Sequence, residues 1–265
     1  MNNSILQKFP SNKRLFKSRD SEFDGWRADS CIFGISHHNN PLPSIDLIPS
    51  STKCLYSYYA EGSLDILKHI IEVGINENLE HLILGFEHGN HRYGYKDYSD
   101  ISKLLSTVNF PRLKTFEYGE DFLIANEQKF YPHLGNISEV LKKMPSLETL
   151  ELSGSFEIGE KISLKELKNI FITDSYSEKA NGVIQGKSLE YFLGSDFGNL
   201  REVEIALVSN ENFVYDFNAE ILKLNLHTLE SLSVTGRFEK GTKEKILNIL
   251  HLNVKNVDLS EMEEV

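Results

Sequence analysis

The sequence predicts an α/β solenoid, with a parallel sheet on the inside, helices and loops on the outside, and a nonrepeating N-terminal cap. Three observations predict it. One apolar frame recurs along the chain, turn-forming residues stand before several copies, and stretches of helical periodicity lie between them. The frame is an apolar residue, two variable ones, a second apolar residue, one variable, and a third apolar residue. Strand geometry turns alternate side chains to opposite faces, so the second and third apolar residues share a face. A single unit cannot bury that face, whereas stacked units build one continuous core.

The copies run in order. Leu79, Leu82 and Leu84 form the first, then Leu113, Phe116 and Tyr118, then Leu147, Leu150 and Leu152. Leu167, Ile170 and Ile172 follow, then Leu200, Val203 and Ile205, then Leu229, Leu232 and Val234, and finally Val254, Val257 and Leu259. Their starts step by 34, 34, 20, 33, 29 and 25 residues. Asn78, Pro111-Arg112, Pro145-Ser146, Gly198-Asn199 and His227-Thr228 precede the first leucine of five copies, which marks a loop entering a strand.

The segments between copies must cover the other side of the core. Leu64, Leu67, Ile70 and Ile71 have helical spacing behind a Ser63 cap, and Asp100 is placed to cap a helix carrying Ile101, Leu104 and Leu105. Ile137, Val140 and Leu141 mark a third helix, and Leu189, Phe192 and Leu193 a fourth. Ile221, Leu222 and Leu224, then Ile246, Leu247 and Leu250, complete the set. The 20-residue unit from Leu147 to Leu167 has no room for a full helix, so an extended loop around Ile162 and Leu164 is expected. Residues 1–60 do not follow the frame and read as a capping region, with strands at Ile32 to Ile35 and near Cys54 to Tyr58. Residues 61–265 read as the solenoid.

Composition narrows the function. Acidic residues outnumber basic ones 39 to 28, a net charge of −11, so nucleic acid and anionic membrane are disfavoured and a basic protein is the natural partner. Residues 1–15 lack the apolar run of a signal peptide, and no stretch approaches a membrane span, so a cytoplasmic location is expected. In that reducing compartment Cys31 and Cys54 read as two buried thiols, although pairing stays open.

The recurring residues resemble the leucine-rich-repeat family. Their alternation of strand and helix is most similar to its ribonuclease-inhibitor-like branch, and more narrowly to bacterial cytoplasmic members. The resemblance covers Leu79 to Leu259, with an extension to the earlier strand near Cys54 to Tyr58 left open, and implies a leucine-rich-repeat solenoid, a curved horseshoe binding a partner on its concave sheet face. Many members carry Asn or Cys three residues after the third apolar position, where the side chain bonds the neighbouring backbone. Here that place holds Glu87, Asp121, Ser155, Ser175, Val208, Arg237 and Met262, so no asparagine ladder is expected.

The frame also names the side chains facing away from the core. Its third places are His81, Thr115, Thr149, Asn169, Glu202, Ser231 and Asn256, and its fifth places are Ile83, Glu117, Glu151, Phe171, Glu204, Ser233 and Asp258. No lysine or arginine stands among them. Carboxylates facing each other across strands repel by roughly 0.2–1 kcal/mol each, a liability unless a cation docks there. The candidate partner-binding residues are therefore Glu117, Glu151, Glu202, Glu204 and Asp258, with Phe171 as an aromatic anchor. A solvated face in an acidic protein is the competing reading. A non-enzymatic binding module follows, with an immunity or antitoxin-like protein as one version.

The alternative is a metal-dependent hydrolase. His88 and His91 in the loop after the first copy, with His81 on the strand, could ligate a divalent ion; a polar loop explains the same residues. No cofactor is expected. There is no Gly-x-Ser-x-Gly elbow around Ser153, and Gly186-Lys187-Ser188 lacks the upstream glycine of a phosphate loop. Tyr93, Tyr95 and Tyr98 form either a binding rim or packing over the adjoining helix.

Overall fold

The computed structural model describes residues 31–34, 54–57, 63–84, 94–119, 130–174, 184–208, 213–216, 218–250 and 254–265. Its strands in chain order are β1 (Cys31–Gly34), β2 (Cys54–Ser57), β3 (His81–Leu84), β4 (Gly94–Asp97), β5 (Thr115–Gly119), β6 (Phe130–Asn136) and β7 (Thr149–Ser153). They continue with β8 (Ser155–Glu157), β9 (Asn169–Thr173), β10 (Glu202–Ala206), β11 (Ser231–Phe238), β12 (Asn256–Asp258) and β13 (Met262–Glu264). A ten-stranded sheet runs β1-β2-β3-β5-β7-β9-β10-β11-β12, with β13 pairing the far end of β11, and β4-β6-β8 form a second sheet. Every described pair is parallel. The protein is thus a mixed α/β structure around a parallel sheet.

Each recurrence of the frame forms one strand of this sheet, and the frame positions meet without slippage. Leu82, Phe116, Leu150, Ile170, Val203, Leu232 and Val257 are successive register partners. The sheet also begins before the frame does. Cys31 pairs with Cys54 and Cys54 with His81, so β1 and β2 extend the sheet in the same register, and the expected boundary at residue 60 marks no break in it.

The intervening segments supply α1 (Ser63–Glu72), α2 (Ser99–Ser106), α3 (Ser138–Lys142), α4 (Gly186–Leu193), α5 (Thr242–Leu250) and 3-10 turns at Ile75–Glu77 and Ala219–Leu224. Leu67, Ile70, Ile101, Leu105, Val140, Leu141, Leu189, Phe192, Ile246 and Leu250 enter one contiguous core with the frame leucines, which places the helices outside the sheet on a single side. The segment at Ile221 and Leu222 closes into a 3-10 turn, with Leu222 buried and Leu224 exposed. Asp100 does not cap α2. It lies within the first turn, paired to Lys103 at 2.9 Å, while the Ser99 N–H donates to Asp97 Oδ1 at 2.8 Å. The short unit has no helix; Ile162 and Leu164 are buried in an extended segment, and Ser163 bridges to Asp196. No described helix is long and apolar enough to cross a membrane.

The missing asparagine ladder has a substitute on the helix side. Asn76 Nδ2 donates to Asn109 O at 2.9 Å, Ser146 Oγ to Pro111 O at 2.6 Å, and Asn199 Nδ2 to Lys165 O at 2.8 Å. Ser188 and Ser195 hydroxyls accept the N–H groups of Ile158 and Ile162 at 3.1 and 3.0 Å. Each bond joins one unit to the next, so buried backbone groups that no strand or helix satisfies find a side chain instead.

Candidate functional site

The site follows from the register. On the face opposite the core, Ile83 pairs with Glu117, Glu117 with Glu151, Glu151 with Phe171, Phe171 with Glu204, Glu204 with Ser233 and Ser233 with Asp258. The row below it on the same face is His81, Thr115, Thr149, Asn169, Glu202, Ser231 and Asn256. Adjacent strands lie about 4.8 Å apart, so Glu117, Glu151, Phe171 and Glu204 occupy a strip roughly 14 Å long. Glu202 sits two residues before Glu204 on β10 and shares its face.

Exposure changes along the strip. Ile83 and Glu151 are only 5% and 8% exposed, Glu117 and Phe171 are half-buried, and Glu204 is exposed. Asn169 Nδ2 donates to Thr149 Oγ1 at 3.2 Å, a cross-strand bond that stiffens the lower row. Asp258 stands apart from the cluster, two strands beyond Glu204 with Ser233 between them. Its Oδ1 accepts from Ser260 N–H at 2.9 Å and Ser260 Oγ at 2.7 Å, which hold the carboxyl below its ordinary range and turn the chain after β12. Asp258 therefore bonds locally to Ser260 in the turn after β12.

One pattern escaped a reading limited to the third and fifth places. The second place of each copy, one residue before the strand, carries Glu80, Lys114, Glu148, Lys168, Arg201, Glu230 and Lys255. Backbone bonds continue the sheet through this row, from Lys114 N–H to Glu80 O at 2.8 Å onward to Lys255 N–H and Glu230 O at 3.1 Å. Side chains pair along it: Lys114–Glu80 at 3.8 Å, Lys168–Glu148 at 2.6 Å and Lys255–Glu230 at 3.1 Å. Lys255 holds the Glu230 carboxyl below its ordinary range. At its lower edge the sheet therefore interleaves charge. In the acidic strip it does not, and no lysine or arginine stands in the third or fifth row of any copy. Arg237, further along β11, is the first cation met on that face there.

The histidine alternative gains no geometry. His81 lies in the third row beside Thr115, while His88 and His91 fall outside the described residues. Among the described residues no group of three His, Cys, Asp or Glu side chains is placed to hold a metal ion. Tyr93 also lies outside them, as do the side chains of Tyr95, Cys31 and Cys54. Tyr98 is a packing residue, buried edge-to-face against Tyr118 with ring centroids 5.9 Å apart, and its carbonyl accepts from Tyr118 Oη at 3.0 Å. The serine motifs are structural as well. Gly154 turns β7 into β8 between Ser153 and Ser155, and Ser188 Oγ accepts a backbone N–H in the core.

No protein-family model matches the chain, no curated protein matches it, and no solved structure matches it. Its function must be argued from this geometry.

Proposed function

We propose that the chain is a leucine-rich-repeat solenoid that binds a basic protein on the concave face of its sheet, without catalysis. A single parallel register carried through β1 to β12, with helices on one side only, supports the solenoid. The acidic strip supports the binding. Glu117 and Glu151 are direct neighbours, and Glu204 is one strand beyond Phe171. Three residues earlier, at the sheet's entry edge and with opposite strand parity, the second-place row interleaves acids with lysines. Glutamates side by side on one face repel, and the third and fifth rows themselves hold no lysine or arginine. A lysine- or arginine-rich surface would relieve that repulsion, and Phe171 offers it an apolar contact at the centre.

Binding is tested by titrating lysine-rich and glutamate-rich peptides against the wild type and a Glu202→Lys/Glu204→Lys double variant. The lysine-rich peptide should bind and the other should not, with affinity falling at least about tenfold in the variant, or about 1.4 kcal/mol. Undiminished binding would move the interface off this face. Within this reading one version makes the chain an immunity-type or antitoxin-like protein, with a basic toxin as the occupant of its acidic face.

A further inference from the structure

We propose that Arg237, at the rim past the acidic strip, takes a carboxylate of the bound partner. The site would then read a basic chain that carries one acid beside its cations. This rests on the reading of the neighbouring face as a site for a basic protein, and adds the group that orients it.

Placement follows from β11. Ser231, Ser233, Thr235 and Arg237 are half-buried and alternate with buried Leu232, Val234, Gly236 and Phe238. Along its length the strand changes neighbours. Ser233 pairs with Asp258 of β12, whereas Arg237 pairs with Glu263 of β13. On the other side Tyr215 bridges to Phe238, and the two rings pack with centroids 5.8 Å apart. The Tyr215 N–H donates to Arg237 O at 2.8 Å, and the Val265 N–H to Phe238 O at 3.1 Å. The backbone under Arg237 is therefore held from both sides.

The fold makes no use of its guanidinium. Nε is buried with no hydrogen-bond partner, and no ion pair joins Arg237 to Glu263 or to any other described residue. A guanidinium N–H withdrawn from water and left without an acceptor is destabilising. A ligand that supplies the acceptor removes that cost.

The chemistry of the ligand follows from the surroundings. Nε–H and one Nη–H form a planar fork that matches a carboxylate or a phosphate. Glu263 beside it and a net charge of −11 repel a doubly charged phosphate more than a singly charged carboxylate. A carboxylate on an otherwise basic chain is the anion that this field admits. Val214, 44% exposed, stands one residue before Tyr215 as Arg237 stands one before Phe238, and it leaves an apolar contact for the same ligand. Ser233 is the register partner of Glu204, and Arg237 lies four residues beyond Ser233. The backbone positions of Glu204 and Arg237 are thus at most about 14 Å apart, which an extended segment spans in about four residues.

Three lysine-rich peptides titrated into the full chain test the assignment. One carries Glu four residues past its last lysine and one carries Gln there, both amidated; the third ends at that place in a free carboxylate. The wild type should bind at least one carboxylate peptide about tenfold more tightly than the Gln peptide, and the better of the two tells a side chain from a chain end. Arg237→Gln should erase the preference and leave the Gln peptide's affinity unchanged. Arg237→Lys, with the charge but no fork, should keep only part of it. Glu204→Lys should weaken all three peptides alike. Arg237→Met should not lower the urea unfolding midpoint, because no bond within the fold is lost. Equal affinities in the wild type, or a preference that survives Arg237→Gln, overturn the assignment and leave the basic-partner reading standing. A lowered midpoint in Arg237→Met gives the guanidinium a partner inside the fold and overturns it as well. If no peptide binds, the basic-partner reading falls and the assignment falls with it.

Discussion

Asp174, just past the end of β9, is 4% exposed, and its Oδ2 accepts from Tyr215 Oη at 2.8 Å and from Ile184 N–H at 3.0 Å. The carboxyl thus ties the end of one strand to the chain before α4 and to the bridge that Tyr215 makes with Phe238. Truncating it strands two buried donors. Asp174→Ala should lower stability by about 3 kcal/mol, and Tyr215→Phe, which leaves the Ile184 bond in place, by about 1 kcal/mol, both read from urea unfolding midpoints. The tyrosines add a pH dependence. Burial pushes the Tyr118 hydroxyl far above its ordinary value of 10.0; burial and then the Asp174 carboxylate do the same for Tyr215. Below about pH 10 both states keep these protons, and the contribution to stability is complete. Above it the unfolded chain releases protons that the folded chain retains, so stability should fall as pH rises, and tyrosinate absorbance should show two residues ionising only with unfolding.

At the scale of the element, the strands depend on a few backbone positions that no apolar frame describes. Gly119 ends β5 at φ 88°, and a Cβ there would lie 1.9 Å from the carbonyl oxygen of Ser153 on the paired strand β7. Gly119→Ala should therefore cost at least about 3 kcal/mol by thermal or urea unfolding, since both the backbone and the contact oppose it. Asn225 makes a comparable junction on the helix side, accepting from Phe197 N–H at 3.2 Å and donating to Ser195 O at 3.0 Å and Leu193 O at 3.3 Å. Its replacement by Ala should cost about 2–3 kcal/mol, whereas Lys168→Ala, which breaks a half-exposed ion pair with Glu148, should cost under about 1 kcal/mol. These contrasts explain what was legible in the sequence. The frame at Leu82, Phe116 and Leu150 announces itself because burial demands apolar residues at period two, and period two then dictates which residues face the other way. Glu117, Glu151 and Glu204 could be placed side by side for that reason. Asn225, Ser195 and Asp174 could not, because one buried polar residue looks like any surface one until its backbone partner is known.

The whole molecule joins its units in a line: each strand of the main sheet touches the strands before and after it, and the bonds of Asn76, Ser146 and Asn199 likewise reach one unit away. In a chain so built, stability is a sum of unit and neighbour-interface terms, and damage at one end need not travel to the other. Leu259 follows β12 and is buried in the terminal part of the core. Leu259→Ala should remove about 2–4 kcal/mol from the units it touches. Amide hydrogen exchange should then accelerate in β11, β12, β13 and α5 while β5, β7 and β9 keep wild-type protection. A Leu150→Ala change in β7 should behave otherwise, because that strand has paired neighbours on both sides, and exchange should rise in β5 and β9 together with it. Uniform acceleration across the sheet in both variants would mean that the molecule unfolds as one cooperative body, and the solenoid reading would then have to give way to a single closed domain.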